Sequence, residues 1–199
     1  MSSGNNIGIV ILAAGSSSRL GKPKQLLEFD GMSLLNHGII EATNSNACSV
    51  VVVLGANADL IANKIDGDIA IIVKNENWNE GMASSVRLGL GTLLSQIPSI
   101  DAVIFMTCDQ PYISSSVLND LMIKYQQTGK PIVTSNYGEA TGPPALFHKS
   151  FFSELMELKG DVGAKKIIQQ HDDQVATVLF LEGKIDIDTK KDYEALKKP

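Results

Sequence analysis

The sequence predicts an α/β protein, a three-layer α/β/α sandwich around a mostly parallel sheet. Three observations carry that prediction. Strand-length apolar runs alternate with segments of helical period along the 199 residues. The runs lack polar alternation, as strands covered on both faces do. The segments between them are long enough to cross back over a sheet, which parallel pairing demands.

Residues 7–13 form the first strand, without a polar side chain, and 14–24 follow as a loop. Residues 33–45 have helical period: Leu34, Leu35, Gly38, Ile39 and Ala42 make one stripe, with Ser33 as N-cap. Strands at 49–54 and 69–74 come next, then a helix at 82–95. A strand at 102–107 leads to a helix at 114–127, capped by Ser114 or Ser115, whose stripe is Val117, Leu118, Leu121, Met122 and Tyr125. Beyond it lie a strand at 132–135, a loop at 137–144, helices at 149–158 and 162–171, and a strand at 175–180. A short strand carrying Asp186 and Asp188 and a helix at 190–196 close the chain. No linker, repeat or low-complexity tract interrupts it, so one domain over residues 1–199 is expected.

Composition excludes several classes. With 44% hydrophobic and 20% charged residues the chain is ordinary globular material. No apolar run approaches the roughly 20 residues of a membrane span. Residues 1–6 are polar and uncharged, unlike a signal peptide, and a cytoplasmic protein is expected. Cys48 and Cys108 fit neither a disulfide framework nor a metal knuckle and read as two buried thiols. The net charge of −5 argues against a nucleic-acid partner. Yet residues 1–27 hold Arg19, Lys22 and Lys24, and all 22 acids lie from Glu28 onward. This positive island fits a small anionic ligand, or chance clustering on an exposed loop.

In such a sheet ligands bind at the carboxyl ends of the strands. Four unusual segments fall there: 14–24, 75–85, 108–111 and 137–144. The first is a phosphate cradle of neither common kind. Five residues separate Gly15 from Gly21, and Pro23 follows Lys22, so there is no Walker A loop; a GxGxxG turn is absent as well. What remains is a loop of small residues whose amides can approach an anion, with Arg19 and Lys24 as cations. Attack at the α-phosphorus of a triphosphate calls for such donors, for positive charge on the non-bridging oxygens, and for a metal.

That metal would take hard oxygen ligands. Asp109 directly follows a strand and is either such a ligand or an Asx cap before Pro111. Asp186 and Asp188 alternate, so one should face inward and one solvent, although Asp188 could equally cap the last helix. His37, His148 and His171 lie far apart and form no transition-metal cluster.

Residues 12–27, LAAGSSSRLGKPKQLL, resemble the signature of nucleotidyltransferases that join an NTP to a phosphorylated acceptor. Residues 77–90 (NWNEGMASSVRLGL), 108–111 (CDQP), 160–168 (GDVGAKKII) and 186–193 (DIDTKKDY) are similar to motifs of molybdenum cofactor cytidylyltransferases and their MobA-like relatives. The likeness spans about residues 7–195. It implies a Rossmann-like fold and transfer of CMP from CTP to molybdopterin cofactor, releasing pyrophosphate, with the product handed to an apo-molybdoenzyme. It also implies roles. Leu12, Ala13, Ala14 and Gly15 would hold the base and ribose side, and Gly81 and Ser85 would recognise cytosine. Arg19 and Lys24 would neutralise the triphosphate, Lys24 at the α-phosphate. Asp109 would bind Mg²⁺ with Asp188 as second ligand, and Gly160 and Asp161 would lie beside the pterin. Alternatives are guanylyl transfer, another acceptor such as methylerythritol phosphate or a sugar phosphate, or a non-catalytic cofactor chaperone. The joint presence of Arg19, Lys24 and Asp109 favours the enzyme. Cys108 stands where the family commonly has Gly, and Pro143 where relatives often carry His; both departures bear on the acceptor. Lys24, on a loop, is expected to be exposed and to matter little to the fold.

Overall fold

The computed structural model describes residues 6–67 and 69–196, so most of the N-terminal segment read above as lacking a leader lies outside the described residues. From β1 (Ile7–Ala13) the chain passes through a small ribbon, β2 (Glu28–Phe29) and β3 (Met32–Ser33), into α1 (Leu34–Thr43). It continues with β4 (Ser49–Leu54), α2 (Ala58–Ala62), β5 (Ile71–Lys74), α3 (Met82–Gln96), β6 (Ala102–Thr107) and α4 (Ser115–Thr128). The last part comprises β7 (Ile132–Asn136), β8 (Thr141–His148), α5 (Phe152–Glu157), α6 (Lys165–Gln170), β9 (Val175–Leu179) and α7 (Lys190–Leu196). Seven strands make one sheet in the order β5-β4-β1-β6-β8-β7-β9. Every pairing is parallel except the two made by β8.

The unbroken apolar runs have a direct cause: successive side chains enter different cores. Ile9, Ile11, Val52 and Ile104 meet Leu35 and Ile39 of α1 and Leu118 and Leu121 of α4. Val10, Val51, Val53 and Phe105 meet Val86, Leu90 and Leu93 of α3 on the other face. There α3 comes so close to β1 that a Cβ on Gly89 would lie 2.4 Å from Val10 Cγ1. Ser33 and Ser114 cap α1 and α4 as expected, accepting from the amides of Asn36 and Val117.

Several expectations are corrected. The loop at 137–144 ends in the first half of β8. Pro143 and Pro144 fit a strand because β6 pairs only with Ala145 onward, and the ladder to β7 slips between Thr134 and Ser135. The helix expected from 162 begins at Lys165, and the one expected from 149 opens with a 3-10 turn at Lys149–Phe151. Asp186 and Asp188 are not on a strand. They follow a 3-10 turn, Leu181–Lys184, and the segment is pinned by buried Ile187, whose amide donates to Asp109 O at 3.0 Å. Cys48 is exposed; only Cys108 is buried. Among the described residues no helix is long and apolar enough to cross a membrane.

Candidate active site

Strands β1, β5, β6 and β7 run in the same direction, so the four segments that follow them gather at one edge of the sheet. A cleft of about 360 Å³ opens there. Leu12, Ala13, Ala14, Gly15 and Lys24 line it, with Gly81 and Ser85 from the start of α3, Asp109 after β6, and Asp161. Sequence reasoning missed what fixes the first loop. Gln25 is fully buried and donates to Ala13 O at 2.7 Å and Gly15 O at 3.0 Å. The Lys24 amide donates to Ser17 Oγ at 2.9 Å. Among the described residues, the Gly15 and Ser16 amides meet no acceptor in the protein, which leaves them to an anion.

The charged groups form a chain. Lys24 Nζ lies 2.5 Å from Asp109 Oδ2 and 3.0 Å from Asp188 Oδ1, and Arg19 Nη2 lies 2.8 Å from Asp188 Oδ2. The Lys24 and Asp109 side chains are only 17% and 14% exposed, so Lys24 is not the free loop cation expected. Burial works against its ammonium, but the Asp109 charge and hydrogen bond outweigh that and hold its pKa above the ordinary lysine value. Burial also opposes the Asp188 carboxylate, yet Lys24 and Arg19 hold its pKa below the usual range. Burial, with the charges of Asp109 and Asp188, pushes Asp186 up to about 6. Burial, with Asp109 beside it, pushes the Cys108 thiol up to about 12, so it stays neutral.

Among the described residues no group of three or more His, Cys, Asp or Glu could hold a metal alone. Two carboxylates converging on one cation nevertheless fit a hard divalent ion that takes its remaining ligands from substrate phosphates. Asp109 Oδ1 strengthens the fit: it is buried and has no hydrogen-bond partner.

Gly81 has φ 102°, and a Cβ there would lie 2.5 Å from both Gly160 C and Asp161 Oδ1. Ala83 N donates to Gly160 O at 3.1 Å. Gly160 and Asp161 therefore rest directly on the start of α3. Two more buried amides escaped the sequence reading, although both lie inside segments it singled out. Asn75 contacts Ser84 and Ser85. Gln110 Nε2 lies 2.7 Å from Gly183 O, 3.0 Å from Tyr137 Oη and 3.2 Å from Pro143 O, tying the segment at Asp109 to the β7–β8 connection, the start of β8 and the turn at Leu181–Lys184. An apolar cavity of about 310 Å³ adjoins the cleft, sharing Leu12, Met82, Thr107 and Asp161 with it and walled by Phe105, Pro143, Phe147 and Ala164.

A family model described as MobA-like NTP transferase domain matches residues 9–175. The nicotine blue oxidoreductase of Paenarthrobacter nicotinovorans is 31% identical over 170 residues, covering 81% of this chain and 80% of that protein. The purine catabolism protein PucB of Bacillus subtilis is 25% identical over 200 residues, 95% of each. Among solved structures, Rv0371c of Mycobacterium tuberculosis superposes with a TM-score of 0.85 at 28% identity over 98% of both chains. Its manganese complex superposes with a TM-score of 0.80 at 25% identity, over 96% of this chain and 98% of that one.

Proposed function

The chain belongs to the MobA-like NTP transferase family and is a nucleotidyltransferase, and from that premise we propose that it transfers CMP from CTP to molybdopterin cofactor. The observation that carries this reading is the meeting of Asp188 with Lys24 and Asp109, two residues that line a cleft adjoining an apolar cavity. In it residues 1–199 act as one transferase domain. Leu12, Ala13, Ala14 and Gly15 hold the base and ribose side, and Gly81 and Ser85 read the cytosine. Gly160 and Asp161 border the acceptor, whose planar ring suits the apolar walls.

An oxygen of the acceptor phosphate bonds to the α-phosphorus while the bond from that phosphorus to the β-phosphate oxygen breaks; pyrophosphate leaves with the electron pair. The attacking phosphate is already ionised at neutral pH, so no general base is needed. Lys24 passes from the two carboxylates to the α-phosphate oxygens, Arg19 offsets the outer phosphates, and the loop amides hold the anion in line. Asp109 and Asp188 hold a divalent metal, Mg²⁺ in this reading. When bound, it supplies charge neutralisation on the triphosphate. The product then passes to an apo-molybdoenzyme.

The test is pyrophosphate release with CTP or GTP, with and without molybdopterin cofactor. Release should require the cofactor and proceed about 100-fold faster from CTP. Asp109→Asn should lower it by about 100-fold. Preference for GTP would move the protein to guanylyl transfer, and no release from either would remove this acceptor.

A further inference from the structure

Asn75 follows β5 and is buried against the start of α3. Its amide orientation is dictated by a neighbour. The Asn77 backbone N–H can only donate, and it lies 3.0 Å from Asn75 Oδ1. Nδ2 therefore faces the serines, 2.8 Å from Ser84 Oγ and 2.9 Å from Ser85 Oγ, and both its hydrogens are used. A hydroxyl that accepts from an amide still has a proton to place. Ser84 places its proton on Gly81 O at 2.8 Å or Asn77 O at 3.0 Å. Ser85 meets no acceptor among the described residues, and it lines the cleft.

We propose that Asn75 is a positioning residue that fixes Ser85 as a hydrogen-bond donor toward the nucleotide base, so that this point of the cleft demands an acceptor atom on the ligand. The inference rests on reading the cleft as the nucleotide site and refines its choice of base. Along the Watson–Crick edge cytosine has acceptors at O2 and N3 beside one donor, its 4-amino group, whereas guanine has donors at N1–H and its 2-amino group beside one acceptor, O6; Ser85 discriminates where it meets the first two positions. A donor facing a donor strands both, which a buried site rejects.

Asn75→Asp reverses the device while nearly keeping the shape. A carboxylate still accepts from Asn77 N, but it also accepts from both hydroxyls, turning the Ser85 proton away from the cleft. The experiment measures binding of CTP and GTP with Mg²⁺ and without acceptor, by equilibrium titration. It compares the wild type, Asn75→Asp, Ser85→Ala and the double variant. Asn75→Asp should lower the CTP-over-GTP affinity ratio by about tenfold, and by less than about twofold once Ser85 is alanine. Asn75→Ala adds no charge and repeats the comparison should the aspartate variant fail to fold. An unchanged ratio in a folded variant, or an equal change on both backgrounds, would overturn the proposal. A wild type that prefers GTP refutes the cytidine reading alone, because the role of Asn75 is judged by whether the ratio moves only through Ser85. Absence of nucleotide binding removes both.

Discussion

Lys24 is a single ammonium with two claimants. In the free protein it neutralises Asp109 and Asp188; in the proposed reaction it neutralises a phosphate. Because Lys24 and Asp109 are less than one-fifth exposed, Lys24→Met keeps the apolar stem and strands a mostly buried carboxylate. Urea unfolding without metal should show a loss of about 3 kcal/mol, partly recovered by Mg²⁺. A loss below about 0.5 kcal/mol would return Lys24 to the exposed role read from sequence. The pH dependence has a definite sign. Asp188 has a lowered pKa, so its contribution is present above the unfolded value of about 4 and is lost as the pH falls through the folded one. Lys24 has a raised pKa, so its contribution is full below about 10.4 and is lost only as the pH rises through the higher folded value. The stability difference between wild type and variant should therefore shrink under acid, and level off below about pH 9 only once Asp186, raised to about 6 with Lys24 holding it down, is ionised in both proteins.

At the scale of elements, the start of α3 is where the two substrates of the proposed reaction would meet. Gly81 holds a backbone conformation that side chains rarely adopt, and any Cβ would press on the backbone at Gly160 and Asp161. Gly81→Ala should cost about 1–3 kcal/mol of stability and raise the KM for the acceptor more than that for CTP. Equal changes in both KM values would detach residues 160–161 from the acceptor side. The strands and caps were legible because burial on both faces, or a serine before an apolar stripe, leaves a local signature. β8 was not, since its two prolines are tolerated only where the ladder to β6 has already ended. The segment at 186–188 kept its alternation but lost its strand, because Ile187 anchors on Asp109 O rather than in a ladder.

For the whole molecule, the site was readable as a set of loops, because a parallel sheet sends every strand's carboxyl end to one edge. The pairings inside it were not readable. Lys24 meets Asp109 across 85 residues and Asp188 across 164, and no local pattern encodes such contacts. Those pairings make the last prediction. When a triphosphate draws Lys24 and Arg19 to itself, Asp109 and Asp188 lose their counter-ions beside a new polyanion, and like charges repel unless a cation replaces the ammonium. CTP binding by the wild type should therefore weaken about tenfold or more when Mg²⁺ is chelated, a coupling of about 1.4 kcal/mol. Asp109→Asn removes one of the stranded charges and one metal ligand together. Equilibrium titration should find that this variant binds CTP more weakly than wild type with Mg²⁺ and more tightly without it. A variant that keeps the full Mg²⁺ dependence would show that Asp109 does not hold the metal. One that is weaker under both conditions would show that Asp109 supports nucleotide binding by something other than the metal, since losing its charge both relieves repulsion with the triphosphate and frees Lys24 for it.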